Sequence, residues 1–573
     1  MTIYHVRGAT SSEATLLRRV LRTNERLGFA AEISPITGQL QRWQIASSRD
    51  EFVVEASSWP LREVTIRSLL EDRTRIKLLH GGQQLARPAA QAGVFLGGVI
   101  DSLAVSRLLV VGLDAGELAE QGLSGFELDD LASVLFDDAA CSGPSSGAVC
   151  KPEQGVHSVV HAARRVRLVR RVGEALVSEV ASAGLERAAL VESAVALVVG
   201  RMEPGGLRVE PRRWRELCGR GHDAAIVAER ELCDAFGVTQ DGVGRYVGFN
   251  ASSPKDLAGR LSQLLGVAVG STNDKALRSI SHPVVSALRA YRSGRNLALW
   301  AGIPEEGALR PSWSVLGTVT GRVTSHGPNV QGMPHELREA VVAKDGFLFG
   351  SFDYGRQELY VLAAVSGDEA LAVDLRDGDP YERIARDVGV ERSVAKQALL
   401  AVSYGSQAAG LREICGITLG TAVALRRSLR EAYPKAMAFG SRVRVEPAPD
   451  AGEGLLSQVR DVGEVRTRHR RRLVRRGGVN RLSVANTPIQ ATAADMVKEA
   501  LVTLERDLRG QVSDARIVGT IHDEILVVSP EKSADACRAV VTSAMTRAAE
   551  RCLHFPSPPV SGGFAKSWAA ASH

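Results

Sequence analysis

Residues 515–528 read ARIVGTIHDEILVV. RIVGTI and ILVVS are runs rich in β-branched residues, and His522, Asp523 and Glu524 lie between them. That spacing predicts a tight hairpin with two carboxylates at its tip. Carboxylates clustered between apolar strands repel one another unless positive charge sits among them, and a divalent metal ion supplies it. A solvated turn is the better explanation of an HDE standing alone, because a given tripeptide occurs by chance in roughly 7% of chains this long. A second carboxylate weighs against that reading. GFLFGSFDYGRQEL places Asp353 at the end of another apolar strand, with Glu358 five residues on. Two strand-end aspartates can share a pair of Mg²⁺ ions, which favour few carboxylates plus substrate phosphates. Two metals about 4 Å apart can activate an attacking hydroxyl and stabilise the leaving oxygen of a phosphoryl transfer.

Between the two aspartates lies VERSVAKQALLAVSYGSQAAGL, where Arg392, Lys396, Leu400 and Tyr404 recur every four residues. On a helix each such step drifts only about 40°, so all four share one broad face about 18 Å long. Two cations stand at one end of it and an aromatic ring at the other. That order suits a nucleoside triphosphate, with phosphates at Arg392 and Lys396 and the base near Tyr404. A helix with an apolar stripe and snorkelling cations has the same spacing.

The elements that must position these groups are those of a mixed α and β protein of several domains. The 573 residues are 45% hydrophobic and 24% charged, an ordinary globular balance. Residues 26–56 alternate in the manner of strands, 157–202 and 372–436 are helical in pattern, and 346–352 reads as a buried strand. Ser252 and Ser253 precede Pro254 as the cap of a helix running to Leu265. Residues 139–156 are Gly/Ser/Pro-rich and are expected to form a loop or linker. No run of 18 apolar residues and no secretory signal is present, so a cytoplasmic location without membrane partners is expected. The seven cysteines are scattered without a CxxC pair, which argues for reduced thiols. Lys plus Arg total 71 against 65 for Asp plus Glu, a net charge of +6. The densest basic run, RTRHRRRLVRR at 466–476, is either a solvated face or a phosphate-backbone contact.

Taken together, these motifs resemble those of family A DNA polymerases, the bacterial DNA polymerase I type. TVTGRVTSHGPNVQGMP (318–334) is similar to the family's Thr-x-Thr-Gly-Arg segment and its Pro-Asn-x-Gln follow-on. FDYGRQEL resembles the first palm motif, Arg392 to Gly405 the fingers helix, and GFNASSPKDL (248–257) the thumb. NTPIQATAADMVKEA (486–500) resembles the segment before the last motif, and HDE that motif itself. The resemblance implies a right-hand fold, a primed DNA template, dNTPs, and two Mg²⁺ ions held by Asp353, Asp523 and the backbone carbonyl of Tyr354. Glu524 would support the primer terminus. Arg392 and Lys396 would bind the triphosphate, with Lys396 protonating pyrophosphate. Glu358 would exclude ribonucleotides, and Arg322, Asn329, Gln331, Asn486, Gln490 and His522 would track the minor groove, whose acceptors are nearly degenerate. Four positions depart from the family pattern: Leu400 replaces Phe or Tyr, Tyr381 replaces a phosphate-contacting His, Tyr360 replaces Arg, and Leu482 replaces an Arg found at Arg481 instead.

LGFAAEISPITGQLQRWQIAS resembles the opening of a DnaQ-like 3′–5′ exonuclease, with Ala30 in place of the Asp of its Asp-x-Glu and Glu32 retained. The second Asp falls near Leu85, and no Asp or Glu occurs from 73 to 100. The third motif holds His161 and Arg165 where Tyr and Asp are usual. Two-metal hydrolysis needs several carboxylates, and Arg165 adds positive charge where metal must sit. The expectation is therefore an α/β multidomain chain: a degenerate, RNase H-like exonuclease-type domain (1–185), thumb (186–300), palm (301–371 and 481–573) and fingers (372–480). No 5′-nuclease domain is expected before it. The rival readings are a single-subunit RNA polymerase, which Glu358 opposes, a DNA-binding scaffold, and a polymerase keeping weak proofreading. Composition and organisation suggest a monomer from a bacteriophage or an actinobacterial host, acting in replication or repair.

Overall fold

The computed structural model describes every residue except 1, 24–25, 35–36, 38, 121–122, 124, 137–155, 242–245, 278–279, 303–306, 448–454, 456–461, 476–480 and 573. The expected linker at 139–156 lies outside the described residues apart from Val156, which opens a helix.

Six strands form the N-terminal sheet: β1 (Thr2–Val6), β2 (Leu27–Ile33), β3 (Leu40–Ala46), β4 (Asp50–Glu55), β5 (Lys77–Leu79) and β6 (Val99–Asp101), in the order β1-β4-β3-β2-β5-β6. β2, β3 and β4 are an antiparallel meander, whereas β5 and β6 add parallel to β2. The meander was legible from alternation; β5 and β6 span three residues each, too few to show a period. Helix Val156–Ala183 crosses this sheet. At Gly28 of β2 a Cβ would lie 2.8 Å from both the Arg170 Cβ and the Val166 carbonyl, so only glycine admits the helix so closely.

The following helix, Glu186–Met202, is apolar almost all round. Ala188 and Ala189 pack in a core with the N-terminal domain, while Val195, Val199 and Met202 pack in the large C-terminal core. The expected boundary at 185 thus falls at a turn between helices, but the second helix belongs to both cores. Two long helices, Pro211–Ala235 and Pro283–Ala298, pack against each other and carry their own small core around Leu232, Leu261 and Leu288. Ser253 caps helix Pro254–Leu265 by accepting from the Asp256 amide at 3.3 Å.

The C-terminal core is built on a four-stranded antiparallel sheet ordered Arg516–Ile521, Glu524–Pro530, Phe347–Tyr354, Val560–Ala565. Helices Gln357–Ser366, Arg481–Gln511 and Ala534–Leu553 pack around it. Residues 369–442 are helical apart from short turns. Among the described residues no single helix is long and apolar enough to cross a membrane. The five described cysteines are free thiols.

The basic run corrects the sequence reading. Arg471–Arg475 is a strand paired with Val462–Arg466, and Arg470, Arg471 and Arg472 are buried, neither a solvated face nor a groove lining. Arg470 lies between Glu192 (2.8 Å) and Asp495 (Nε to Oδ1 2.6 Å), and Lys498 reaches both Glu192 oxygens at 2.5 and 2.6 Å. Arg471 pairs with Glu464 at 3.2 Å and donates to the Leu109 carbonyl at 3.0 Å. Glu192 and Asp495, distant in sequence, offset the charge of Arg470, and a local reading cannot see them.

Candidate active site

Asp353 sits next to last in the central strand, directly opposite Glu524 and Ser561. The Arg516–Ile521 and Glu524–Pro530 strands turn through His522 and Asp523, with His522 in the left-handed region at φ 57°. Only Asp523 therefore lies at the tip; Glu524 is already in the strand and buried. Asp353 and Asp523 act electrostatically on each other, and one Asp353 oxygen is buried without a hydrogen-bond partner among the described residues. Burial, then Asp523 and Glu524 alongside, push the Asp353 carboxyl up to about 7. Burial also raises that of Asp523. Desolvated carboxylates with an orphaned oxygen fit a divalent cation, which would return both to their charged form. Glu524 differs: it accepts from the Ser351 hydroxyl, from the Trp568 indole N–H at 2.7 Å and from Arg338 at 3.5 Å.

The helix Arg392–Ser403 carries the expected face: Arg392 and Lys396 are exposed, Leu400 and Tyr404 half-buried. Its C-cap, Tyr404, is tied to the carboxylates, because its hydroxyl donates to Glu358, which Arg322 also holds at 3.3 Å. Arg322 and Glu358 both act electrostatically on Asp523. Burial and Glu358 hold the Tyr404 hydroxyl protonated far above its ordinary range. At the other end Arg392 grips Asp379, its Nε at 2.9 Å, and stacks 5.2 Å over the Tyr381 ring. Tyr381 is buried beneath it, so the Tyr381 hydroxyl reaches a triphosphate only if Arg392 moves. Lys396 makes no hydrogen bond or ion pair with a described residue.

A sequence model of DNA polymerase family A matches residues 232–570, more than half of the chain and every carboxylate and cation just described. The chain belongs to DNA polymerase family A. DNA polymerase I of Lactococcus lactis subsp. cremoris is 28% identical over 433 residues, covering 68% of this chain and 47% of that protein. DNA polymerase I of Chloroflexus aurantiacus is 32% identical over 311 residues, covering 50% and 31%. That of Mycobacterium tuberculosis is 26% identical over 579 residues, covering 92% and 60%. The chain thus spans about half the length of the curated relatives it matches. The POL domain of Pol1 from M. smegmatis, solved in complex with DNA primer-template and dNTP, shares the fold over the whole of both chains at a TM-score of 0.75 and 21% identity.

The residues expected in the minor groove of a family A enzyme are placed unequally. His522 and Asn329 are exposed, and Arg322, Asn486 and Gln490 half-buried. The Gln331 amide is engaged within the protein: it donates to the carbonyls of Val323 and Thr520, both at 3.0 Å, and accepts from the Ser325 amide. It braces the loop against the Asp523 strand. The Tyr360 hydroxyl donates to the Leu375 carbonyl at 2.9 Å, so this family departure is a core contact. Leu482 is exposed and lies over Gly405, where an added Cβ would come within 2.7 Å of it. Leu400 is half-buried and packs against the C-terminal core.

In the N-terminal domain Glu32 lies on β2, 3.5 Å from Arg42 and within the field of Arg165. Ala30 stands two residues before it on the same face. Leu85 is buried in helix Gly82–Gln91. Asp101, beside the start of that helix, accepts from the amides of Gly81, Gly82 and Leu103 at 2.9, 2.8 and 3.1 Å, so its oxygens are committed to backbone. Sequence reasoning missed Asp379, Trp568, Ser351 and Arg338, which hold Arg392 and Glu524. Their roles depend on contacts up to 186 residues apart and leave no local signal.

Proposed function

We propose that the chain is a template-directed DNA polymerase that adds dNTPs to a primer 3′-hydroxyl. The observation that carries this reading is that Arg322 and Tyr404 both hold Glu358, while Arg322 and Glu358 act electrostatically on Asp523 beside Asp353. It ties the paired carboxylates to the foot of a helix whose exposed face ends in Lys396 and Arg392. Asp353 and Asp523, with the Tyr354 carbonyl, would hold two Mg²⁺ ions, which supply activation of the primer hydroxyl and stabilisation of the leaving oxygen. Arg392 releases Asp379 to take the triphosphate, and Lys396 donates a proton to pyrophosphate. Glu358, held in place by Tyr404 and Arg322, occupies the space beside the sugar's 2′ carbon and excludes a 2′-hydroxyl. Arg322, Asn329, Asn486, Gln490 and His522 contact the primer–template minor groove, and Gln331 fixes the loop that presents them.

The assignment extends to domains: an exonuclease-like domain at 1–185, thumb at 186–300, palm at 301–371 and 481–573, and fingers at 372–480. The first of these does not hydrolyse DNA, because, of the expected carboxylates, only Glu32 remains, with Arg42, Glu55 and Arg165 around it. Its role is to buttress the thumb and palm: the Gln83 amide donates to Glu203 at 2.8 Å and to the Trp313 carbonyl at 3.0 Å.

The test is extension of a 5′-labelled primer on a longer template with Mg²⁺ and four dNTPs, beside an Asp523→Ala control. Extension by the wild type alone supports the reading, whereas no extension across metal and salt conditions makes a DNA-binding scaffold the better one. A lane without dNTPs tests the exonuclease-like domain. Metal-dependent trimming that survives Asp523→Ala would overturn the claim that it is inert.

A further inference from the structure

A cavity of about 860 Å³ opens at the base of helix Pro211–Ala235, against the far end of the palm sheet. It shares no residue with the candidate active site. Phe347 and Phe349 in its wall precede Asp353 by six and four residues on an extended strand, about 20 and 13 Å away. Four cations line it, Arg208, Arg215, Lys344 and Arg516, and no carboxylate among the described residues does. Among the described residues none of the four makes an ion pair: Arg215 donates to the Pro211 carbonyl at 3.1 Å, and the Lys344 ammonium rests 4.0 Å over the Phe347 ring. All four are exposed. The remaining wall is apolar, formed chiefly by Phe347, Phe349 and Val528.

Four cations around one concavity with apolar walls raise the local concentration of a polyanion. Three of them are guanidiniums, whose planar fork matches phosphate oxygens in pairs. The apolar wall, with one aromatic edge half-buried at Phe347, suits the flat body of a base. We propose that this cavity is a second binding site for a phosphate chain carrying a nucleobase, separate from the candidate dNTP site. Its occupant is a free nucleoside triphosphate or a stretch of single DNA strand, which present the same chemistry.

The experiment uses the full chain carrying Arg392→Ala and Lys396→Ala, which removes the triphosphate ligands of the candidate active site. Isothermal titration without metal follows binding of dATP and, separately, of an eight-residue oligo-dT. Adding Arg208→Glu and Arg516→Glu is expected to weaken binding about tenfold or more, since a charged hydrogen bond contributes about 1.5–3 kcal/mol and 1.4 kcal/mol is tenfold. Loss of dATP affinity identifies the free nucleotide as occupant; loss of oligo-dT affinity alone identifies the strand. Lys344→Glu, a single exposed change, serves as the second variant should the double one fold poorly, and circular dichroism checks that. The proposal is overturned if neither ligand binds, or if both bind with affinities unmoved by the charge reversals.

Discussion

In the metal-free protein Asp353 is a destabilising residue, and replacing it by Asn stabilises the fold. Its carboxyl is raised from 3.8 to about 7, chiefly by burial and then by Asp523 and Glu524. A folded-state value above the unfolded one means that the folded protein binds the proton more tightly. Stability is therefore lost as pH climbs from about 4 through about 7, and the whole loss is present at pH 8. The full displacement corresponds to about 4 kcal/mol. Asp353 is only half-buried, so solvent screening brings this to about 2 kcal/mol. Asp353→Asn in EDTA at pH 8 should then melt roughly 2–3 °C above the wild type, if the C-terminal core unfolds as one domain. Near pH 4 the two should melt together. Mg²⁺ should raise the wild type's melting temperature at pH 8 and leave the Asn variant's almost unchanged, and the variant should not extend a primer. Thermal melts followed by circular dichroism at both pH values, with and without metal, read all of this. An Asn variant no more stable than the wild type in EDTA at pH 8, or one whose advantage persists at pH 4, would refute the reasoning.

Three further outcomes are expected. Arg470→Met leaves Glu192 and Asp495 short of a buried cation, so urea unfolding should show a loss of about 3–5 kcal/mol. Trp568→Phe keeps an aromatic ring against Phe349 but removes the 2.7 Å hydrogen bond to Glu524; single-turnover extension should slow by about tenfold while the KM for dNTP changes little. Glu358→Ala should raise incorporation of rNTPs relative to dNTPs by roughly 10–100-fold, measured as the ratio of kcat/KM values on one template, and Tyr404→Phe should move the same ratio in the same direction by freeing Glu358.

Much of the candidate active site is written locally. Asp353 and Asp523 each end an apolar strand, and Arg392, Lys396, Leu400 and Tyr404 share a face because 3.6 residues make a helical turn. Those patterns repeat in the chain's own periodicity, so they survive without knowledge of any contact. The absence of Asp and Glu at Ala30, Leu85 and Arg165, on which the proposal of an inert exonuclease-like domain rests, is likewise visible in the letters alone. What the string did not hold was pairing. The arginines of residues 470–472 read as solvent-facing or DNA-facing until Glu192, Asp495 and Glu464 were brought against them. The tip of the HDE turn lost one of its two expected carboxylates because the ladder with Asp353 draws Glu524 into the strand, where Trp568, Ser351 and Arg338 hold it. Gln331 turned from a base-reading candidate into a brace once Thr520 was beside it. Local propensity depends on neighbours within a few residues, whereas the desolvation of a charge and the choice of its partner depend on which distant segments share the same few ångströms. Only the tertiary structure decides that.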